Sequence, residues 1–163
     1  MGGGAGQGRD DVDKKDPAKN KYSTATRLAQ VTDGASNTLL LSECARRPKF
    51  FRFNTEYTKN KGNDPAKPLD VNKGGGWAAK ENAIEVSGAT ADGTVEVGTG
   101  GTKRSGGPLA VNATNEKNVY AMHTGGANAA FLDGSVRFLS DRLDIKVLAA
   151  LATRANGEVV PNY

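Results

Sequence analysis

Apolar residues occur only in very short runs, and this feature most limits what the chain can fold into. The longest strictly apolar runs are residues 39–41 and 147–152, whereas a membrane-spanning helix needs about 20 such residues. Of the 163 residues, 37% are hydrophobic and 21 are glycine. These values predict one modest core built from short elements and many turns, and they exclude a large, mainly helical protein.

The composition divides the chain into an arm and a domain. Residues 1–22 are rich in glycine and then alternate acidic and basic residues, which predicts a flexible arm, and residues 23–163 are predicted to form a single domain. No signal-peptide pattern opens the sequence. The single cysteine, Cys44, excludes an internal disulfide and a cysteine-rich zinc site.

Positive charge is concentrated in the middle of the chain. The net charge is +4, and residues 46–80 hold nine basic and three acidic residues, with Phe50, Phe51, Phe53 and Tyr57 among them. Basic residues interleaved with aromatic residues can bind single-stranded nucleic acid. The prolines, asparagines and glycines of the same segment instead indicate a solvated surface excursion, so we expect no nucleic-acid partner.

Strand and helix signals are clearest towards the C-terminus. We predict strands over residues 37–43, 119–123, 128–132 and 135–139, and a short strand at 94–97. Asp133-Gly134 predicts a type I′ hairpin turn, and alternation places Val136 and Phe138 on one face of the last strand. Asp144 is the expected N-cap of a helix over residues 145–154. The expected class is α+β, with a twisted antiparallel sheet, a C-terminal helix and long loops.

Five motifs in order give the sequence a specific resemblance. They are Thr32-Asp33-Gly34-Ala35-Ser36-Asn37-Thr38 leading to Glu43, then Gly76-Trp77, then Gly107-Pro108 with Asn112-Ala113-Thr114-Asn115, then His123 followed after nine residues by Asp133-Gly134, and finally residues 148–160. In these motifs the chain resembles the planctomycete-type prepilin-like family of major pilins and type II secretion pseudopilins. The resemblance marks six residues as a structural signature: His123, Gly125, Gly126, Asn128, Asp133 and Gly134.

The resemblance implies the globular head of a non-enzymatic structural subunit. Such a subunit would assemble with itself and with other pilin-like subunits in a surface pilus-like filament or a type II secretion pseudopilus, outside the cytoplasm. Family members have an N-terminal hydrophobic helix that inserts in the membrane and packs against the sheet, and these 163 residues lack it. An apolar sheet face must then be covered by the C-terminal helix, by residues 1–30 or by another subunit, so we predict self-association.

The residues offer few signs of catalysis or of a cofactor. His123 has Asp133 and Ser135 nearby in the sequence, but no Gly-x-Ser-x-Gly motif accompanies them, and we expect no catalytic triad. Calcium is the candidate ion, with Asp33 and Asp133 as its candidate ligands. The cluster of Asp10, Asp11, Asp13 and Asp16 is a second candidate, although it does not fit an EF-hand.

A binding module is the alternative function. Trp77, Phe51, Tyr57 and Arg52 are its candidate contacts, because aromatic and basic side chains together suit an anionic polysaccharide or another anionic polymer.

Overall fold

The computed structural model describes residues 26–60, 69–70, 74–76, 79, 82–97, 104–158 and 160. The chain separates into two compact units, residues 1–30 and 31–163. In the first unit the described residues include a 3-10 turn, Leu28–Gln30. The predicted boundary between residues 22 and 23 lies outside the described residues.

A three-stranded antiparallel sheet is the centre of the second unit. Its strands are β1 (Leu39–Ser42), β8 (Gly126–Phe131) and β9 (Val136–Ser140), in the order β1-β8-β9. The other strands form two-stranded antiparallel ribbons: β2 (Phe50–Arg52) with β3 (Thr55–Tyr57), β4 (Lys59–Asn60) with β5 (Leu69–Asp70), and β6 (Glu96–Val97) with β7 (Arg104–Ser105).

The register of the sheet gives it one buried and one solvent-facing side. Ala127 and Ala129 of β8 and Leu139 of β9 are buried. Ala130 of β8 pairs with Leu41 of β1 and with Val136 of β9. These three side chains lie on the face of the sheet opposite to the buried one. We call this second face the outer face. A shift in register between residues 39 and 41 interrupts the pairing of β1 with β8.

The β8–β9 hairpin turns differently from the prediction. Gly134 has a φ of 84°, but Asp133 is not among the residues with positive φ, so the turn is not type I′. Instead Gly134 N–H donates to the carbonyl of Phe131 at 3.0 Å and Phe131 N–H donates to the carbonyl of Ser135 at 2.9 Å. This is a three-residue loop, in which a type I turn is followed by a glycine in the left-handed region.

The C-terminal helix, α1 (Ile145–Ala152), is two residues shorter than predicted. Asp144 is its N-cap, as expected, and its side chain accepts a hydrogen bond from Lys146 N–H at 2.7 Å. Leu148 and Leu151 are buried in the core, where they pack in one cluster with Phe131 and Leu139. The helix therefore contributes to the core on the buried side of the sheet.

The predicted strand over residues 119–123 does not form. Val119 and Tyr120 make only isolated parallel bridges, to Val111 and to Cys44, so the chain there is extended without being part of a ladder. Residues 45–80, expected to be a solvated excursion, contain the β2–β3 hairpin with Phe50 and Phe51 buried. Burial of these two rings explains the hairpin that the sequence analysis missed.

The described residues form an α+β fold with small antiparallel sheets and one C-terminal α-helix, as predicted. None of the helices in the described parts of the chain has the length and apolar character to cross a bilayer.

Candidate functional site on the outer face of the sheet

The Glu43 and His123 motifs meet at one end of the outer face. Glu43 follows β1 and His123 precedes β8, and the two side chains approach to 3.3 Å between Oε1 and Nε2. The other carboxylate oxygen of Glu43 accepts a hydrogen bond from Asn128 N–H at 2.7 Å, and the Asn128 amide lies 3.4 Å from His123 Nε2. Glu43 thus forms one polar cluster with His123 and Asn128, which lie 80 and 85 positions further along the sequence.

The surroundings of Glu43 stabilise its charged form. Burial by itself would raise the pKa of this carboxyl group, but the hydrogen bonds from the Asn128 backbone and amide, together with His123, lower the pKa below its ordinary value. Glu43 is therefore an ionised anchor that joins the end of β1 to β8 at neutral pH.

The side chains of His123, Asp133 and Ser135 do not come together. His123 precedes β8 and the other two residues follow it, and six residues of extended strand span about 17 Å. Asp133 accepts a hydrogen bond from Ser135 N–H at 2.9 Å and lies 4.0 Å from Arg137. The closeness of these three residues in the sequence therefore does not bring their side chains together as a Ser-His-Asp triad.

Asp33 joins the first motif to the last one. Its carboxylate accepts hydrogen bonds from the backbone N–H groups of Asn156 and Gly157, both at 2.9 Å, and a longer one from Thr153 Oγ1. In return, the N–H groups of Thr32 and Asp33 donate to the carbonyl of Arg154 at 2.8 and 3.2 Å. We call this exchange the Asp33 clasp. It gives the Thr-Asp-Gly motif a structural role.

The two candidate calcium ligands are each engaged by their own loops. The hydrogen bonds from Asn156 and Gly157 lower the pKa of Asp33, and those from Ser135 lower the pKa of Asp133. Among the described residues, no group of three or more histidine, cysteine, aspartate or glutamate side chains is placed to hold a metal ion. The aspartates between residues 10 and 16 lie outside the described residues.

Three asparagines spaced three residues apart each hold a different segment. Asn112 donates to the carbonyls of His123 and Gly126 and accepts from Ala121 N–H. Asn118 accepts from Ser87 Oγ and donates to the carbonyl of Gly88. The asparagines of this motif therefore have a structural role, because their side chains hydrogen-bond to other segments of the chain.

Asn115, the middle asparagine, is completely buried. Its amide donates to the carbonyls of Ala45 and Lys49 at 3.0 and 2.8 Å, and its oxygen accepts from Phe51 N–H at 2.9 Å. It therefore fixes the loop that leads from the end of β1 to the β2–β3 hairpin.

Two residues of the binding-module alternative, Arg52 and Tyr57, contact each other. Phe51 is buried, and the guanidinium of Arg52 lies 4.1 Å from the centre of the Tyr57 ring. The Tyr57 hydroxyl hydrogen-bonds to Glu116, and burial together with that carboxylate raises the pKa of Tyr57. Trp77 lies outside the described residues.

Cys44 lies beside a groove of about 590 Å³ next to β1. The groove is lined by β1, by residues 82–84 and 86 and by α1, and Arg47 is also part of its lining. Burial raises the pKa of the Cys44 thiol, so the thiol is protonated at neutral pH.

The outer face carries large apolar side chains next to the Glu43 cluster. Leu41 is 68% exposed, Val136 67% and Phe138 51%. The prediction that Val136 and Phe138 share a face is confirmed, and that face is directed to solvent while Leu139 enters the core. The C-terminal helix therefore does not cover the apolar outer face, because it packs on the buried side.

The sequence analysis names Glu43 and Asn115 only as motif residues, without a role in the site, and it does not predict the exposure of Leu41. Glu43 closes the first motif, and this position next to a strand end was the available signal. For Asn115 the signal was the spacing of three asparagines among apolar residues in 110–121.

The fold and the outer-face cluster define a small α+β domain whose sequence motifs hold its segments together. The chain belongs to the family described as SBP_bac_10, protein of unknown function (DUF1559), whose model matches residues 2–146. No curated protein matches the chain, and neither does any solved structure. The family description leaves a pilin-like role as a proposal.

Proposed function

We propose that this chain is the head domain of a structural subunit that assembles into a surface filament or a secretion pseudopilus. The observation that carries the proposal is the exposure of the large apolar side chains of Leu41, Val136 and Phe138 on the outer face of the central sheet. Contiguous apolar surface beside polar residues is typical of a site that contacts another protein. The resemblance to prepilin-like subunits is the reason for proposing a filament or a pseudopilus as the assembly.

A structural role also fits the chemistry of the described residues. The polar residues of the motifs, such as Asp33 and Asn115, use their hydrogen-bonding groups on backbone atoms of the same chain. They stabilise the fold and present no assembled nucleophile and base. The function proposed here is therefore non-enzymatic, and its site lies outside the cytoplasm.

The test is to locate the protein in its native cells. Antibodies against residues 31–163 should label filaments by immunogold electron microscopy, and the protein should be recovered in the sheared surface fraction. Its intact native mass should exceed 17.0 kDa by an apolar N-terminal helix. Recovery only from the cytoplasmic fraction, with no labelled filament, would overturn the proposal.

A further inference from the structure

The Asp33 clasp holds a pair of residues that is chemically labile. Asn156-Gly157 is the only asparagine followed by glycine in the 163-residue sequence. In such a pair the backbone nitrogen of the glycine can attack the side-chain amide carbon of the asparagine, because glycine has no Cβ to hinder the approach. Both residues are exposed, so water reaches them. The pair is therefore a candidate site of deamidation.

Deamidation of this pair needs only water as a co-reactant. The Gly157 nitrogen gives its proton to a base from solvent and forms a bond to Cγ of Asn156, and the Cγ–Nδ2 bond breaks as ammonia leaves with a proton from water. Water then opens the cyclic imide at Cγ, which gives aspartate, or at the main-chain carbonyl carbon of Asn156, which gives isoaspartate. The side-chain NH2 is thereby exchanged for OH, without oxidation or reduction.

Hydrogen bonds in the folded chain engage the groups that this reaction uses. The Gly157 N–H, whose proton must leave, donates to Asp33 Oδ1 at 2.9 Å, and the Asn156 N–H donates to Asp33 Oδ2 at 2.9 Å. The Asn156 side-chain amide, whose nitrogen must leave, donates to the carboxylate of Glu158. The attacking nitrogen and the side-chain amide are thus held by different carboxylates, and the clasp has to open locally before they react.

The two carboxylates also oppose the charge that the reaction creates. Loss of the Gly157 proton leaves a negative nitrogen, and its attack leaves a negative oxygen on the Asn156 side chain. A neighbouring negative charge makes the loss of a proton more difficult, and Asp33 and Glu158 are both in hydrogen-bond contact with the pair. The same contacts lower the pKa of Asp33, so its carboxylate is a poor base for removing the proton.

We propose that Asn156-Gly157 is a deamidation site that the Asp33 clasp protects, and that its conversion to aspartate or isoaspartate opens the clasp. Aspartate adds a negative charge next to Asp33 and Glu158, and isoaspartate adds a backbone carbon that displaces the Gly157 N–H. Either product weakens the contact between residues 32–33 and the segment after α1. The inference is independent of the proposed function, because it depends only on contacts within the chain.

Peptide mapping by mass spectrometry, on the whole 163-residue chain incubated at mildly alkaline pH, tests the protection. The mass gain should map to Asn156, and Asn156→Gln should remove it because glutamine has to form a larger ring. The wild-type rate should be at least about tenfold lower in buffer than in guanidinium chloride, where the fold and its clasp are lost. Asp33→Ala should raise the rate in buffer about fivefold or more, since the Gly157 N–H then loses its acceptor.

Two control variants separate the clasp from overall stability and from charge. Glu43→Ala removes hydrogen bonds to Asn128, outside the clasp, and lowers the stability of the fold. Its deamidation rate should stay close to that of wild type, as should the rate of Asp141→Ala, which removes an exposed carboxylate. Equal acceleration in Asp33→Ala and Glu43→Ala would assign the reaction to global unfolding and overturn the protection. A rate for Asp33→Ala at or below that of wild type would also overturn it.

The deamidated chain itself tests the opening of the clasp. Ion exchange separates it from the intact chain, because it carries an additional negative charge. Hydrogen exchange measured by NMR should be faster in the product at the N–H groups of Thr32 and Asp33, which donate to the Arg154 carbonyl in the intact chain. Exchange at the Phe51 N–H, which donates to Asn115 outside the clasp, should be unchanged. Equal exchange of Thr32 and Asp33 in the two forms would show that deamidation leaves the clasp closed and would overturn this part of the proposal.

Discussion

The carboxylate of Glu43 accepts a hydrogen bond from the backbone N–H of Asn128 at 2.7 Å. This contact joins the residue after an edge strand to the central strand of the same sheet, and it is reinforced by the Glu43 N–H, which donates to the Asn128 carbonyl at 3.3 Å. The pair closes the sheet next to His123 and sets the polar end of the outer face.

Glu43→Ala is expected to destabilise the fold by about 1 kcal/mol. A hydrogen bond to a charged group is worth about 1.5–3 kcal/mol, and the value here lies below that range because about one third of the Glu43 side chain is exposed to water. Urea unfolding at pH 7 measures the change. Glu56→Ala, on an exposed ion pair with Lys49, is the matched control and should change stability by less than ~0.5 kcal/mol. Equal effects of the two variants would contradict the anchoring role.

Asn115→Ala should destabilise the protein more strongly, by about 2–4 kcal/mol, because it leaves buried carbonyl and N–H groups without partners. The affected groups are those of Ala45, Lys49 and Phe51. Asn156→Ala removes the same chemical group at an exposed position, where the amide donates to the Glu158 carboxylate, and should cost about 1 kcal/mol or less. Thermal and urea unfolding provide the measurement, and a small loss for Asn115→Ala would show that the loop does not depend on this amide.

Local signals in the sequence were sufficient for part of the fold. The Asp144 cap and the apolar stripe through Leu148 and Leu151 predict α1, because both depend on residues within two turns of each other. The alternation in β9 correctly places Val136 and Phe138 on the same face of the strand. Which of its faces enters the core depends on the pairing with β8 and on the packing of α1, and neither is encoded within five residues of strand.

The site was less predictable, because its contacts join distant residues. Asn115 binds Phe51, 64 positions away, and Glu43 binds Asn128, 85 positions away. A single sequence gives no direct measure of such proximity. The type I′ turn was predicted from Asp133-Gly134 alone, whereas the register that pairs Ala130 with Val136 leaves three loop residues and selects another turn.

The Asp33 clasp should make stability depend on pH. Hydrogen bonds from the N–H groups of Asn156 and Gly157 lower the pKa of Asp33 from its ordinary value of 3.8. A carboxyl group with a lower pKa in the folded state stabilises the fold above the unfolded pKa, and it loses this contribution as the pH falls through the folded pKa. The stability difference between wild type and Asp33→Asn should therefore be largest above pH ~5 and shrink below pH ~4.

Urea unfolding of both proteins across this pH range provides the measurement. Asp141→Asn removes the same charge at an exposed position and is the control for net charge. A difference between wild type and Asp33→Asn that stays constant from pH 7 to pH 2 would contradict the clasp as a charge-dependent contact.

Gly134→Val should destabilise the β8–β9 hairpin through the backbone alone. Gly134 has a φ of 84°, and nothing lies within 4 Å of a Cβ built at this position, so a side chain meets no steric obstacle. The left-handed conformation costs L-residues about 1–2 kcal/mol, and a β-branched residue tolerates it poorly. Gly134→Asn is the matched variant, because asparagine adopts this region more readily, and it should lose less than half as much stability. Equal losses for valine and asparagine in urea unfolding would mean that the left-handed φ of residue 134 does not determine the stability of this turn.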